Sequence, residues 1–206
     1  MKKKFVSNST ESVRMFKSDL LEALSKVHFT VPLYIFVPVI AYCVYRYTQT
    51  GLGVLLFVEL FALGLFVWTL TEYVMHRFVF HYEPADKPWA QRIHFIFHGV
   101  HHDYPSDAKR LVLPPSVSIP LATGFYFLFK AILPVDYIWG FFPAFILGYL
   151  FYDISHYAIH HFNFKGAIWK KIKQHHMLHH YQDPAKGYGV SSPLWDKIFR
   201  SDFIKK

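Results

Sequence analysis

The chain has 206 residues, 53% of them apolar and 20% aromatic, with a formal net charge of +8. That length suits one domain, and so apolar yet basic a composition excludes an ordinary soluble enzyme and fits a membrane protein with a charged cytoplasmic face. Long apolar runs interrupt the basic residues, against a nucleic-acid binder, and the single cysteine, Cys43, excludes an internal disulfide and a thiolate metal site.

The N-terminus opens on Met1 and three lysines with no apolar stretch close behind, so no cleavable signal peptide is expected. Residues 9–26 admit two readings. One is a short amphipathic helix with Leu20, Leu21 and Leu24 on one face and Lys17 and Lys26 at the headgroups; the other is a plain cytosolic cap.

Four apolar runs follow, at 30–47, 52–74, 116–133 and 136–152. They stand at the short end of the roughly 20 residues that span a bilayer. Tyr45, Tyr47, Trp68, Tyr137 and Trp139 near their ends suit the interface. Thr48-Gln49-Thr50-Gly51 joins the first two runs and Leu133-Pro134-Val135 the last two, so each pair is a tight hairpin.

The expected fold is therefore an all-α integral membrane protein, with about four transmembrane helices in two hairpins and a cytoplasmic helical cap. One domain covers 1–206: a cytoplasmic segment over 1–29, membrane helices over 30–152, and a cap over 153–206. Of the 22 Lys and Arg residues, only Arg46 and Lys130 lie at the hairpin ends. The positive-inside rule puts the cap and both termini in the cytoplasm, of either a bacterial inner membrane or an endoplasmic reticulum.

The 14 histidines concentrate in two stretches, 76–102 and 156–180, each following the second helix of a hairpin. His156 and His160 are four apart and can grip one ion from one helix face. His98, His101 and His102 follow an i, i+3, i+4 pattern, as do His176, His179 and His180, and each triplet can present three imidazoles to one pocket. His76 and His81 are five apart, so they converge only at a bend, a helix end or a π-bulge. Ten histidines exceed one mononuclear site, whereas two metals at about five each use them all. Imidazole alone does not choose among Zn, Fe, Cu and Ni. His28, His161 and His175 read as ordinary residues, and spacing leaves His94, one turn before His98, open.

Carboxylates or carbonyls are needed to orient such imidazoles. Asp153, three residues before His156 at the end of an apolar helix, is the leading candidate, and Glu72, four before His76, is the second. Asp103 and Asp183 flank the triplets, Asp107 reads as an ordinary solvated or turn residue, and Glu59 has no assigned chemistry.

These motifs resemble the fatty acid hydroxylase and sterol desaturase superfamily of membrane diiron oxygenases, over most of the chain from about residue 60. Within it the nearest likeness is to fatty acid 2-hydroxylases. It is carried by His76-Arg77-Phe78-Val79-Phe80-His81, His98-Gly99-Val100-His101-His102, Arg110-Leu111-Val112-Leu113-Pro114-Pro115, Gly148-Tyr149-Leu150-Phe151-Tyr152-Asp153 and Gly187-Tyr188-Gly189-Val190-Ser191-Ser192-Pro193-Leu194-Trp195-Asp196.

The resemblance implies ten metal ligands: His76, His81, His98, His101, His102, His156, His160, His176, His179 and His180. It implies that dioxygen and two electrons convert a C–H bond beside an acyl carbonyl into C–OH, on a fatty acid or a sphingolipid N-acyl chain. Iron is the working metal it implies; zinc can occupy such sites but has no redox chemistry. Eukaryotic members often carry an N-terminal cytochrome b5 domain, for which the stretch before the first apolar run leaves no room. A separate cytochrome b5, or a ferredoxin-type protein with its reductase, is the expected donor.

A lipid is expected to reach the metals sideways, with Phe125, Tyr126, Phe141 and Phe142 as candidate lining and Lys171, Lys173 and Lys186 near an anionic head. Within the superfamily the alternative is a sterol, carotenoid or alkylglycerol oxidase. A metal transporter is the alternative from another class, but its ligands belong at mid-membrane. A zinc hydrolase would need a motif such as His-Glu-x-x-His, which does not occur.

Overall fold

The structure is a computed structural model that describes residues 6–82 and 87–203. All regular elements among the described residues are helical: α1 (Asp19–Leu24), α2 (Val31–Thr48), α3 (Val54–Val74), π1 (Met75–Phe80), α4 (Pro88–His94), π2 (Phe95–Gly99), α5 (Val100–Asp103), α6 (Pro115–Ile132), α7 (Ile138–His161), α8 (Ala167–Tyr181) and α9 (Leu194–Ile198). Four stretches are long and apolar enough to cross a membrane, namely Val31–Thr48, Val54–Phe80, Pro115–Ile132 and Ile138–His161. The four expected helices are present, and α7 runs on past the apolar run to carry His156 and His160.

Local chemistry sets their limits. Pro115 opens α6 at its first position, where a missing N–H costs nothing, and Pro134 follows Leu133, whose extended backbone ends that helix. Arg46, at the end of α2, places its guanidinium 4.6 Å over the Trp139 ring at the start of α7, so the tips of the two hairpins lie together.

α7 is the central helix. Phe141, Phe145, Ile146 and Tyr149 on it are buried against Leu60 of α3 and Phe36 of α2, and α6 adds Phe125 and Phe129 from the side. Lipid tails are as apolar as leucine, so close packing rather than exclusion of water must hold such helices together. Small residues allow it. A Cβ on Gly148 would collide with the Trp68 ring, and one on Gly64 with the Phe141 carbonyl and Ala144. α3 and α7 thus run in near contact and end together, each delivering histidines beyond the apolar core.

Residues 9–26 hold one short helix. Only Asp19–Leu24 is helical, capped by the Ser18 hydroxyl accepting from the Leu21 N–H. Leu20, Leu21 and Leu24 are exposed, as an amphipathic element requires. The rest of the segment is irregular and fastened to the loop after α5.

Candidate metal centre

The two histidine stretches meet above the membrane core in two adjacent sets of five. One holds His76, His81, His98, His102 and His179; the other holds His101, His156, His160, His176 and His180. Within each set, one ring nitrogen per residue lies within 4.8 Å of the others.

π1 solves the spacing of His76 and His81. Its His81 N–H donates to the His76 carbonyl at 3.1 Å, an i→i+5 bond that turns both rings to the same side. The triplets, in contrast, do not each fill one pocket. His98 and His102 share a helix face and enter the first set while His101 enters the second. Likewise His176 and His180 join the second set and His179 the first. The sets abut, with the His102 and His180 rings stacked at 4.2 Å.

Backbone carbonyls orient the rings. His76 Nδ1 donates to the Tyr188 carbonyl at 2.5 Å and His179 Nδ1 to the Lys186 carbonyl at 2.6 Å. A carbonyl partner on Nδ1 fixes the tautomer of the neutral ring, with its lone pair on Nε2, and both Nε2 atoms face the first set. The Nε2 atoms of His76, His81 and His98 then form a triangle with sides of 3.2, 3.1 and 3.1 Å. Hydrogen bonds cannot satisfy it, because His76 brings no proton and two protons would oppose each other on the third side. A cation between the lone pairs removes the conflict.

The second set has the same need: His101 Nδ1 and Nε2 and His156 Nε2 are buried with no hydrogen-bond partner in the protein. Burial first, and neighbouring imidazoles second, hold His98, His101, His102, His176 and His180 well below the usual histidine range. These rings are neutral at physiological pH, the form that binds metal.

Asp153 and Glu72 act one step further out than expected, with no bond to an imidazole. Asp153 accepts from the Leu113 N–H at 3.2 Å and the Tyr149 hydroxyl at 2.9 Å. It thereby holds the 110–115 segment, whose Leu111 carbonyl bonds His156. Glu72 Oε1 accepts the Val190 and Ser191 N–H groups at 2.8 Å each, fixing the loop that carries the Tyr188 carbonyl.

The other end of that loop depends on Asp196, which the spacing of residues gave no reason to single out. It is fully buried and accepts from the Tyr188 N–H (2.9 Å), the Gly189 N–H (2.8 Å), the Ser201 hydroxyl (2.8 Å) and His175 Nε2 (3.1 Å). Burial alone would raise its pKa, but these donors, His175 first, lower it. Asp107 is not a solvated residue either. It is 1% exposed and accepts from the Ser12 hydroxyl at 2.7 Å, so it ties down the N-terminal segment.

His94 stays outside both sets, as do His28, His161 and His175. Lys173 donates to the Phe162 carbonyl at 2.9 Å, closing the end of α7. Of the aromatic candidates, Phe125 lines an apolar cavity of about 50 Å³ between α3, α6 and α7. Tyr126 and Phe142 line an outer groove with α2, while Phe141 is core.

Fold and site together define a multi-pass membrane protein with a histidine-rich site of the kind that holds two metal ions. A sequence model of the fatty acid hydroxylase family matches residues 61–201. The chain is 37% identical over 190 residues to a dihydroceramide fatty acyl 2-hydroxylase of Arabidopsis thaliana, covering 92% of this chain and 79% of that protein. It is 40% identical over 188 residues to a ceramide very long chain fatty acid hydroxylase of Schizosaccharomyces pombe, covering 89% of this chain and 53% of that protein. It is 36% identical over 213 residues to the fatty acid 2-hydroxylase of Homo sapiens, covering 93% and 57%. Among solved structures, full-length scs7p, with only its hydroxylase domain visible, superimposes with a TM-score of 0.85 at 35% identity, covering 90% of this chain and 70% of that one. The chain belongs to the fatty acid hydroxylase family, a family of oxidoreductases. It spans about half the length of the S. pombe and human relatives.

Proposed function

We propose that this chain hydroxylates the acyl chain of a membrane lipid at the carbon beside the carbonyl, on a fatty acid or a sphingolipid N-acyl group. The observation that carries the reading is the pair of five-histidine sets beside an apolar cavity. That cavity, of about 190 Å³, is bounded by His98, His101 and His156 and shares Phe80, Leu113 and Tyr152 with the deeper one between α3, α6 and α7. An acyl tail laid down into the helices would leave its first carbons beside the histidines. The names of the relatives support the same substrate class and position.

The first set would hold one ion through His76, His81, His98, His102 and His179, and the second another through His101, His156, His160, His176 and His180. Two imidazole nitrogens about 2.0–2.1 Å from one ion and at right angles stand about 2.9 Å apart, and in a tetrahedron about 3.4 Å. Neighbouring nitrogens here stand 3.0–3.2 Å apart, nearer the crowded five-ligand case. Two iron ions in these sets would supply dioxygen activation, which redox-inert zinc would not. The reaction consumes one O₂, two electrons and two protons, placing one oxygen in the C–OH and the other in water.

The chain's own residues do the rest. The Tyr188, Lys186 and Leu111 carbonyls fix ring orientation, the bonds of Glu72, Asp153 and Asp196 fix those carbonyls, and Phe80 and Tyr152 wall the reacting carbon from water. The electrons come from a separate protein of cytochrome b5 or ferredoxin type with its reductase. The metal site and both termini lie on the cytoplasmic side, which the lysine and arginine distribution favours, and the whole chain acts as one domain.

The test is expression in a host whose lipids lack 2-hydroxy acyl chains, with iron and a donor system supplied. Mass spectrometry of lipids compares wild type with His179→Ala and an empty vector. One added oxygen, placed on the second carbon by fragmentation and missing in the variant, is expected. An oxygen on a sterol, carotenoid or ether lipid instead would replace the acyl assignment.

A further inference from the structure

Two cavities reach the histidine sets past different residues. The first, bounded by His98, His101 and His156, is closed over by Met15, Phe16, Leu21 and Leu24 of the N-terminal segment. The second, of about 370 Å³, reaches His81, His102 and His180 past Gln91, His94 and Asp103.

A residue that lines a cavity and is also exposed marks its mouth. Leu21, Leu24 and Phe97 line the first cavity and are 49%, 49% and 45% exposed. Ser116, also at this rim, stands in the first turn of the membrane helix α6 and donates to the Leu24 carbonyl at 2.9 Å. The mouth therefore sits level with the start of a membrane helix, and its rim is apolar. Leucine and phenylalanine side chains at that depth suit lipid, whereas the other cavity mixes Gln91, His94 and Asp103 with Val6, Phe95 and Pro184.

The segment over this mouth is fixed by buried polar bonds. Arg110 donates to Glu22 Oε1 at 2.7 Å and to the Val13 carbonyl at 2.6 Å. Ser12 bonds Asp107, the Val27 N–H donates to the Lys109 carbonyl at 3.0 Å, and Arg92 donates to the Met15 carbonyl. Its backbone is anchored to the cap while its leucines stay at the rim.

We propose that residues 12–28 form the lipid-facing gate of the first cavity, and that Phe16, Leu21 and Leu24 are specificity-determining residues. They set how bulky a lipid can pass to His98, His101 and His156. The inference rests on the acyl-hydroxylase reading for what passes, though not for which mouth faces lipid. A single-chain fatty acid needs less width than an N-acyl sphingoid lipid with two chains. Bulk added at Leu21 therefore discriminates between them, while bulk at Leu20, which is 67% exposed and does not line the cavity, does not.

The experiment has two arms on the full chain. In the first, single cysteines replace Leu24, Phe97 or Pro184 in a Cys43→Ser background, carry a bimane label, and are placed in phosphatidylcholine nanodiscs containing nitroxide-labelled lipid. Stronger quenching at positions 24 and 97 than at 184, which lines the second cavity, is expected. Equal or reversed quenching overturns the orientation. In the second arm, hydroxylation per bound iron is measured on a free fatty acid and on an N-acyl sphingoid lipid. Leu21→Trp is expected to lower the two-chain to single-chain product ratio roughly ten-fold, as steric differences in an apolar pocket do. Leu21→Ala should raise the ratio and Leu20→Trp leave it unchanged. Active wild type with Leu21→Trp matching Leu20→Trp refutes the gate. Wild type inactive on both lipids, with the quenching pattern intact, removes the reaction assignment and leaves a lipid-facing mouth.

Discussion

Asp196→Asn separates the two histidine sets. Oδ1 of Asp196 accepts from the Tyr188 N–H and the Ser201 hydroxyl, and Oδ2 from the Gly189 N–H and His175. An asparagine keeps one oxygen, so its NH₂ faces two of these donors, whichever way it turns. The Ser201 hydroxyl or the His175 ring can reverse and accept from that NH₂, but one backbone N–H is left without an acceptor, so the change should destabilise the loop by about 1–3 kcal/mol. That loop carries the Tyr188 and Lys186 carbonyls, which orient His76 and His179 of the first set only. Loss of such a carbonyl typically weakens metal binding about 10–100-fold. The second set takes its Leu111 carbonyl from a different segment. Metal content per chain, followed by mass spectrometry during dialysis against graded chelator, should show one of two ions leaving at about 10–100-fold lower chelator. The other should leave as in wild type. Equal weakening of both ions, or a lower melting temperature with both affinities intact, would refute the division of labour drawn here.

The metal-free protein should lose stability as pH falls below about 6.5, because the unfolded chain protonates histidines that the fold keeps neutral; the slope is at most about 1.4 kcal/mol per pH unit for each ring, read by denaturant unfolding across pH. Metal loading should flatten that dependence down to the pH where protons displace the ions. Asp196 works in the opposite sense to a raised group: its folded pKa is lowered, so its contribution is complete above the usual carboxylate range and fades as pH drops through the lower folded value. Asp196→Asn should erase that acid-limb slope. Gly64→Val should destabilise the α3–α7 contact by about 1–3 kcal/mol through overpacking, whereas Gly124→Ala, with nothing within 4 Å of a new Cβ, should be nearly neutral in the same thermal assay. Glu22→Gln removes one of the two carboxylates paired with buried Arg110 and leaves it Asp107, so it should cost about 1–3 kcal/mol, and it should expose the N-terminal segment to limited proteolysis before the rest of the chain.

Helix number, the short links after the first and third membrane helices and the gathering of the repeated histidines were readable from the sequence because each rests on a period or a length, but α2 and α3 pack on α7 rather than on each other. What escaped it depends on tertiary contact. The i, i+3, i+4 triplets look tridentate on one helix, but only the meeting of the π2–α5 rings with those of α8 decides that His101 and His179 leave their own neighbours. The five-residue step from His76 to His81 pointed to a π-bulge among its solutions, and π1 is that solution. Asp153 and Glu72 reach backbone groups 40 to 119 residues away in sequence, and Asp107 a hydroxyl 95 residues away, so spacing from a histidine was a poor guide to their partners. Asp196 is 21 residues from His175 and carries no local signal beyond its place in the Gly187–Asp196 stretch.

The split triplets also explain why the two sets must be close. On one helix, residues four apart share a face and the residue between them stands off by about 100°. A helix bearing i, i+3, i+4 histidines therefore has two working faces, and it can use both only if a second helix of the same kind lies alongside. The continuous π2–α5 stretch and α8 are that pair. His98 and His102 face His179, His176 and His180 face His101, and the stacked rings of His102 and His180 form the wall between. α3 with π1 then closes the first set, and α7 the second. A tridentate mononuclear site would need neither the second triplet nor the adjacent pairs His101–His102 and His179–His180, so the doubled pattern fits two neighbouring five-histidine sets.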